Sequence, residues 1–191
     1  MENLEIRQPV VSGQFYPSNP LELKKQISEF IDKKALKSDC IGCLLPHAGY
    51  IYSGKVAAIT VSNINIKNKV ILLGPNHTGY GAKFSIMSQG SWQTPLGKVK
   101  ICRELAKKLL KNSEVLEENS LAHANEHSLE VELPILQYFN SEFEIVQIAI
   151  LCDELSSLQK LGKVIANTII EEKLKGEVLL IASSDMTHYE S

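Results

Sequence analysis

The chain has 191 residues, 44% of them hydrophobic and 22% charged, the balance of a water-soluble globular protein with enough length for one real core. Its formal net charge of −2 leaves no basic footprint for nucleic acid or an anionic membrane. No apolar run approaches the roughly 18 to 20 residues that span a bilayer, and the acidic opening "MENLEIRQPV" has no secretory h-region, so the expected compartment is the cytoplasm.

In chain order, "PLELKKQISEFIDKKA" (Pro20–Ala35) carries apolar residues at helical spacing, with lysines opposite. "IGCLL" (Ile41–Leu45) reads as a strand and "GKVAAITVSNI" (Gly54–Ile64) as a helix. "KVILLG" (Lys69–Gly74) is a continuous apolar run, the pattern of a strand covered on both faces. "FSIMS" (Phe84–Ser88) is a further strand and "ICRELAKKLLKN" (Ile101–Asn112) a helix. "HSLEVELPILQYF" (His127–Phe139) is helical in pattern, kinked or shortened by Pro134. "FEIVQIAIL" (Phe143–Leu151) is a buried strand, "SSLQKLGKVIANTIIEEKL" (Ser156–Leu174) an amphipathic helix, and "EVLLIAS" (Glu177–Ser183) a last buried strand. The alternation predicts a single α/β domain over residues 1–191, with a largely parallel or mixed sheet covered by helices on both faces.

Cys40 and Cys43 form a C-x-x-C that enters a strand rather than opening a helix, and no second cysteine pair or paired histidine lies at zinc-site spacing. Two small apolar residues three apart is the plainer reading, and a reducing cytosol argues against disulfides.

Three of the five histidines, His47, His77 and His188, lie just beyond the carboxyl ends of predicted strands. Ligands of open α/β sheets bind in the crevice there, so parallel neighbouring strands would bring these imidazoles to one pocket. Imidazole pairs completed by an anionic ligand suit non-heme Fe(II), and imidazole also suits Cu and Zn. Ordinary strand-to-helix turns with incidental histidines are the alternative. Asp185, three residues before His188, is placed to fix its tautomer or to bond a turn backbone. In "HANEHSLEVELP" (His123–Pro134), Glu126 suits a helix start, and His127 with Glu130 one turn on is open between metal ligand, partner of a ligand and surface ion pair. Tyr50 and Asn76 flank the histidine turns. Phe15 and Tyr16 either line a mouth for a ligand or pack the N-terminal segment onto the core. No G-x-S-x-G, Walker A or strand-following G-x-G-x-x-G occurs.

Taken together, "RQPVVSGQFYP" (Arg7–Pro17), "PHAGYIYSG" (Pro46–Gly54), "LGPNH" (Leu73–His77), "TPLG" (Thr94–Gly97), "NEHSLEVELPIL" (Asn125–Leu136) and "SSDMTHYE" (Ser183–Glu190) resemble the Memo family across nearly the whole chain. That family includes the mediator of cell motility of animals and protein B of the prokaryotic AmmeMemoRadiSam system. The resemblance implies the fold of class III extradiol dioxygenases, non-heme Fe(II) enzymes that open catechol rings. It implies His47 and His77 as histidine ligands and His188 as the acid–base group, with Fe(II) as the first metal and Cu or Zn as alternatives. The family's third ligand is a cysteine in a "CG" segment near the C-terminus, whereas this sequence stops at Ser191. The expectation is a chain lacking the family's C-terminal part, in which water, Glu126 or a partner chain completes the site, with an exposed sheet edge. The functions implied are a dioxygenase-like metal-dependent oxidoreductase, a non-catalytic module binding a small molecule, peptide or phospho-ligand, or a partner of radical-SAM and AMMECR-type proteins.

Overall fold

The computed structural model describes residues 5–187, so His188, the expected acid–base group, lies outside the described residues. Nine strands form one mixed sheet: β1 (Ile6–Arg7), β2 (Gly42–Leu45), β3 (Lys69–Pro75), β4 (Phe84–Ile86), β5 (Ser91–Thr94), β6 (Gly97–Ile101), β7 (Glu117–Glu118), β8 (Glu144–Ile150) and β9 (Val178–Ser183). The main order is β1-β5-β6-β8-β3-β9-β2, with β4 antiparallel to β8 and β7 beside β4. From β6 to β2 every pairing is parallel; β5 and β6 are joined antiparallel.

The helices are α1 (Pro20–Phe30), α2 (Lys55–Ser62), α3 (Arg103–Lys111), α4 (Leu121–Ala124), α5 (Glu132–Phe139) and α6 (Leu155–Glu171). α1, α2 and α5 pack together, and α3 packs with α6. Strands β3 and β8 lie between these two sets. Their consecutive buried positions, Val70 to Leu72 and Ile145 to Ala149, require cover on both faces. The α/β sheet covered on both faces is therefore present as expected. Among the described residues no helix is long and apolar enough to cross a membrane.

Several boundaries differ from the pattern for physical reasons. β2 is not a buried strand: only Leu45 is buried, because β2 is the outer strand of the parallel run. The last strand, β9, is paired on both sides, so the exposed edge belongs to β2. The helix expected from His127 begins at Glu132, which puts Pro134 in the first turn, where its missing N–H costs no helical bond. A π-helical turn, Tyr50–Gly54, precedes α2 and presents Tyr52 and Ser53 to a cavity at the carboxyl ends of the strands. The hairpin β5–β6 has no clear signature in the sequence, since short strands with lysines alternate too briefly to register as a pattern.

α1 begins where Asn19 accepts from the amides of Leu21 at 2.9 Å and Glu22 at 3.2 Å, with Pro20 at the first helical position. It docks through Leu23 and Ile27. At Gly74 the neighbouring segment passes so close that a Cβ would stand 2.6 Å from Leu129 Cδ2. That approach sets the 126–131 segment against the end of β3.

Candidate metal centre

The parallel strands β3, β9 and β2 end side by side, and the loops at their carboxyl ends build the site. Pro46 and His47 leave β2, Asn76 and His77 leave β3, and Ser184 and Asp185 leave β9. A third imidazole, His127, comes from the segment between α4 and α5. The potential ligand atoms of His47, His77 and His127 all lie within 4.8 Å of one another. Ring centroids are 5.2 Å apart for His47–His77, 5.8 Å for His47–His127 and 4.7 Å for the stacked His77–His127 pair.

Two of the rings are hydrogen-bonded from behind through Nδ1, and the third has a carboxylate oxygen beside its Nδ1. His47 Nδ1 lies 3.0 Å from Ser183 Oγ. His77 Nδ1 lies 2.9 Å from Glu126 Oε1, and His127 Nδ1 lies 3.3 Å from the same oxygen. Nε2 of His47 and His77 is thus left for the cluster, the arrangement a ligating imidazole needs. Burial pulls His47 and His127 below the usual histidine range, and mutual repulsion among the rings adds to this, against the pull of Asp185 on His47 and of Glu126 on His127. Both shifts favour the neutral imidazole, the form that offers a lone pair.

Glu126 is fully buried yet ionised. Burial pushes its carboxyl up, but hydrogen bonds from the His77 ring and from the Ser128 and His77 amides outweigh that and hold it below the usual range. Its oxygens also accept from the His127 amide at 2.8 Å. Asp185 Oδ1 accepts from the His47 amide at 2.8 Å, while Oδ2 stands 3.8 Å from His47 Nε2 on the open side.

The cluster lies in the wall of a cavity of about 970 Å³, lined also by Phe15, Pro46, Tyr52, Val56 and Asp185. The His77 side chain is 45% exposed, so the centre is accessible from the cavity. Phe15 meets the His127 ring edge at 5.0 Å.

Other expected residues stand behind this surface. Tyr16 is buried and its hydroxyl donates to Glu130 at 2.6 Å; burial first, then Glu130, raises its pKa far above the tyrosine range. Tyr50 is buried and donates to the Val131 carbonyl at 2.7 Å. Asn76 shapes the loop after β3, accepting from Thr78 and donating to the Tyr80 carbonyl at 2.7 Å. His123 is a core histidine: Nε2 donates to the Ser85 carbonyl at 3.1 Å, and burial lowers its pKa to about 4. Cys40 and Cys43 are free thiols, Cys43 pushed up to about 12 by burial.

Sequence reasoning missed three supporting residues. Arg7 is buried, ion-paired to Glu130, and donates to the carbonyls of Glu126 at 2.5 Å and His123 at 3.0 Å. Glu130 also accepts from the Val10 and Val11 amides, so this network pins the N-terminal segment that carries Phe15. Glu130 therefore turns towards Arg7, and the hydrogen-bonded partner of the histidines is Glu126. Ser183 and Glu132 lie behind His47. A carboxylate set between Val131 and Leu133 in an otherwise apolar run was the available signal for Glu132.

Comparison with known proteins agrees with this architecture. The profile described as Memo-like protein matches residues 7–191. A MEMO1 family protein of Methanopyrus kandleri is 39% identical over 198 residues, covering 96% of this chain and 69% of the relative. One from Methanosarcina barkeri is 40% identical over 187 residues, covering 97% and 69%. One from Aquifex aeolicus is 42% identical over 190 residues, covering 97% and 68%. The chain belongs to the Memo family.

Proposed function

We infer that the chain is a metal-binding protein whose His47, His77 and His127 hold a divalent transition metal through Nε2. The observation that carries this reading is that the ligand atoms of the three rings gather within 4.8 Å while Nδ1 of His47 and of His77 is engaged by an oxygen. Three imidazole nitrogens fit Fe(II), Cu or Zn, with Fe(II) the first choice on the family resemblance, and the cavity leaves room for a further ligand beside the rings. Bound there, the metal would supply Lewis acidity and an open coordination position.

The chain's own residues do the rest. Glu126 holds two rings in place and partly offsets the charge of a cation. Phe15, Tyr52 and Val56 give the cavity an apolar wall that suits a small aromatic or peptide ligand with a chelating group. Asp185 Oδ2, beside His47 on the open side, would hold a proton released by such a ligand, a part also assigned to His188 on family grounds. Oxidative turnover of the bound ligand in the manner of an extradiol dioxygenase is the proposed activity.

Metal content by mass spectrometry, on protein purified without oxygen, tests the centre. Near-stoichiometric iron, or copper or zinc, is expected in the wild type and its loss in His47→Ala, His77→Ala and His127→Ala. A wild type that takes up none of the three after reconstitution would overturn the reading.

A further inference from the structure

Behind His47 the hydroxyl of Ser183 has three buried polar neighbours. The Ser128 carbonyl oxygen is at 2.7 Å, Glu132 Oε1 at 2.9 Å and His47 Nδ1 at 3.0 Å. A hydroxyl has one proton to give and two lone pairs to fill. The Ser128 carbonyl is nearest and can only accept, so it takes the proton. Both lone pairs then require donors, and the remaining neighbours are Glu132 and His47. His47 has a ring N–H to offer. Glu132 has a proton to offer only as the carboxylic acid. Were Glu132 ionised and Ser183 turned to it, the Ser128 carbonyl would face a hydroxyl lone pair at 2.7 Å.

We propose that Glu132 is a protonated carboxylic acid at neutral pH, and that through Ser183 it locks His47 as the Nδ1–H tautomer with its Nε2 lone pair turned to the cluster. Glu132 is then a positioning residue one step removed from the metal ligand. Its importance for the metal rests on the three-histidine centre; its geometry does not.

Two further observations agree. Glu132 is 1% exposed and its Oε2 has no hydrogen-bond partner among the described residues. An ionised carboxylate with a bare oxygen in the interior is far costlier than an acid whose carbonyl is bare. The titratable groups facing Glu132 are Asp185 beyond β9, Tyr50 at the π turn and Cys43 on β2, and none is a cation that would favour its ionisation. Burial first, with the Asp185 charge adding, raises its pKa to about 8.

The test uses the metal-free chain at about pH 7. Nitrogen-15 spectra of the imidazoles, with His47 assigned by its loss in His47→Ala, are expected to show a protonated Nδ1 and a bare Nε2. The infrared spectrum is expected to show the carbonyl stretch of a protonated carboxylic acid that is missing in Glu132→Gln. That amide can still donate to Ser183, so the His47 tautomer should survive in Glu132→Gln. Glu132→Val removes the donor and should lower zinc affinity about tenfold. An Nε2–H tautomer for His47 in the wild type, or no acid band, would overturn the proposal. Both spectra are read without metal. A wild type that shows both signatures but binds no zinc supports this proposal and counts against the metal centre alone.

Discussion

Glu126 and Glu132 lie six positions apart, are both fully buried, and each stands behind one side of the histidine cluster. Their charges differ. Glu126 collects the His77 ring at 2.9 Å, the His127 and Ser128 amides at 2.8 Å each, and the His77 amide. Its carboxyl is held below the usual range. Glu132 has Ser183 on one oxygen and nothing on the other, and is pushed up to about 8. Burial pushes both carboxyls up, and at Glu126 alone the N–H groups aimed at the carboxyl outweigh it. The centre on this reading has an anion behind His77 and His127 and a neutral acid behind His47, whose nearby carboxylate is Asp185 on the cavity side.

The strongest break of that contrast is Glu126→Ala. It strands the His77 ring and the amides of His77, His127 and Ser128 without their acceptor. Each unsatisfied group costs about 1–3 kcal/mol, and partial access of water at the cavity limits the sum to about 3–5 kcal/mol of lost stability. Urea unfolding measures it. A loss below about 1 kcal/mol would show that Glu126 is not the anchor its hydrogen bonds make it.

The second effect is a dependence on pH with a definite sign. Folded Glu132 keeps its proton up to about 8, while the unfolded group releases it near 4.5. Between those values the folded state binds more protons, so this residue's contribution to stability falls as pH rises. Glu126 has the opposite slope, since its folded value is depressed. Comparison with Glu132→Gln isolates the Glu132 part. The stability of the wild type relative to this variant should fall by about 3 kcal/mol between about pH 5 and pH 7.5, by the linkage relation. A difference that stays flat over that interval would give Glu132 an ordinary carboxyl.

The parts of the molecule legible in the sequence are those with a local signature. The runs "KVILLG", "FEIVQIAIL" and "EVLLIAS" announce β3, β8 and β9 because a strand buried on both faces has few polar positions. His47 and His77 stand out because each comes directly after such a run or its neighbour. His127 has no strand before it, so its role stays open in the sequence; it joins the cluster by the close pass of its segment over Gly74, a contact between residues far apart in the chain. Arg7 is invisible as a partner of Glu130 for the same reason, as 123 positions separate them. The weak edge at β2 is hidden because "IGCLL" is as apolar as a central strand, and its exposure depends on which strand lies beside it. Charge state is further still from the sequence: both glutamates sit in one short segment, and only the folded donor geometry separates them.

The smallest effect provides the control. Asn19 caps α1 by accepting from the Leu21 and Glu22 amides, and no residue of α1 lines the cavity. Asn19→Ala should cost about 1 kcal/mol, the ordinary value of an N-cap, with no change in the slope of stability against pH and no change in metal uptake. The substitution matters because any destabilised variant can lose metal simply by unfolding. If Asn19→Ala keeps its metal at the same margin of stability at which a Glu132 variant loses it, the loss in the latter belongs to the ring it positions. If the two lose metal in parallel, the site responds to global stability, and the contrast between the two glutamates describes the fold rather than the centre.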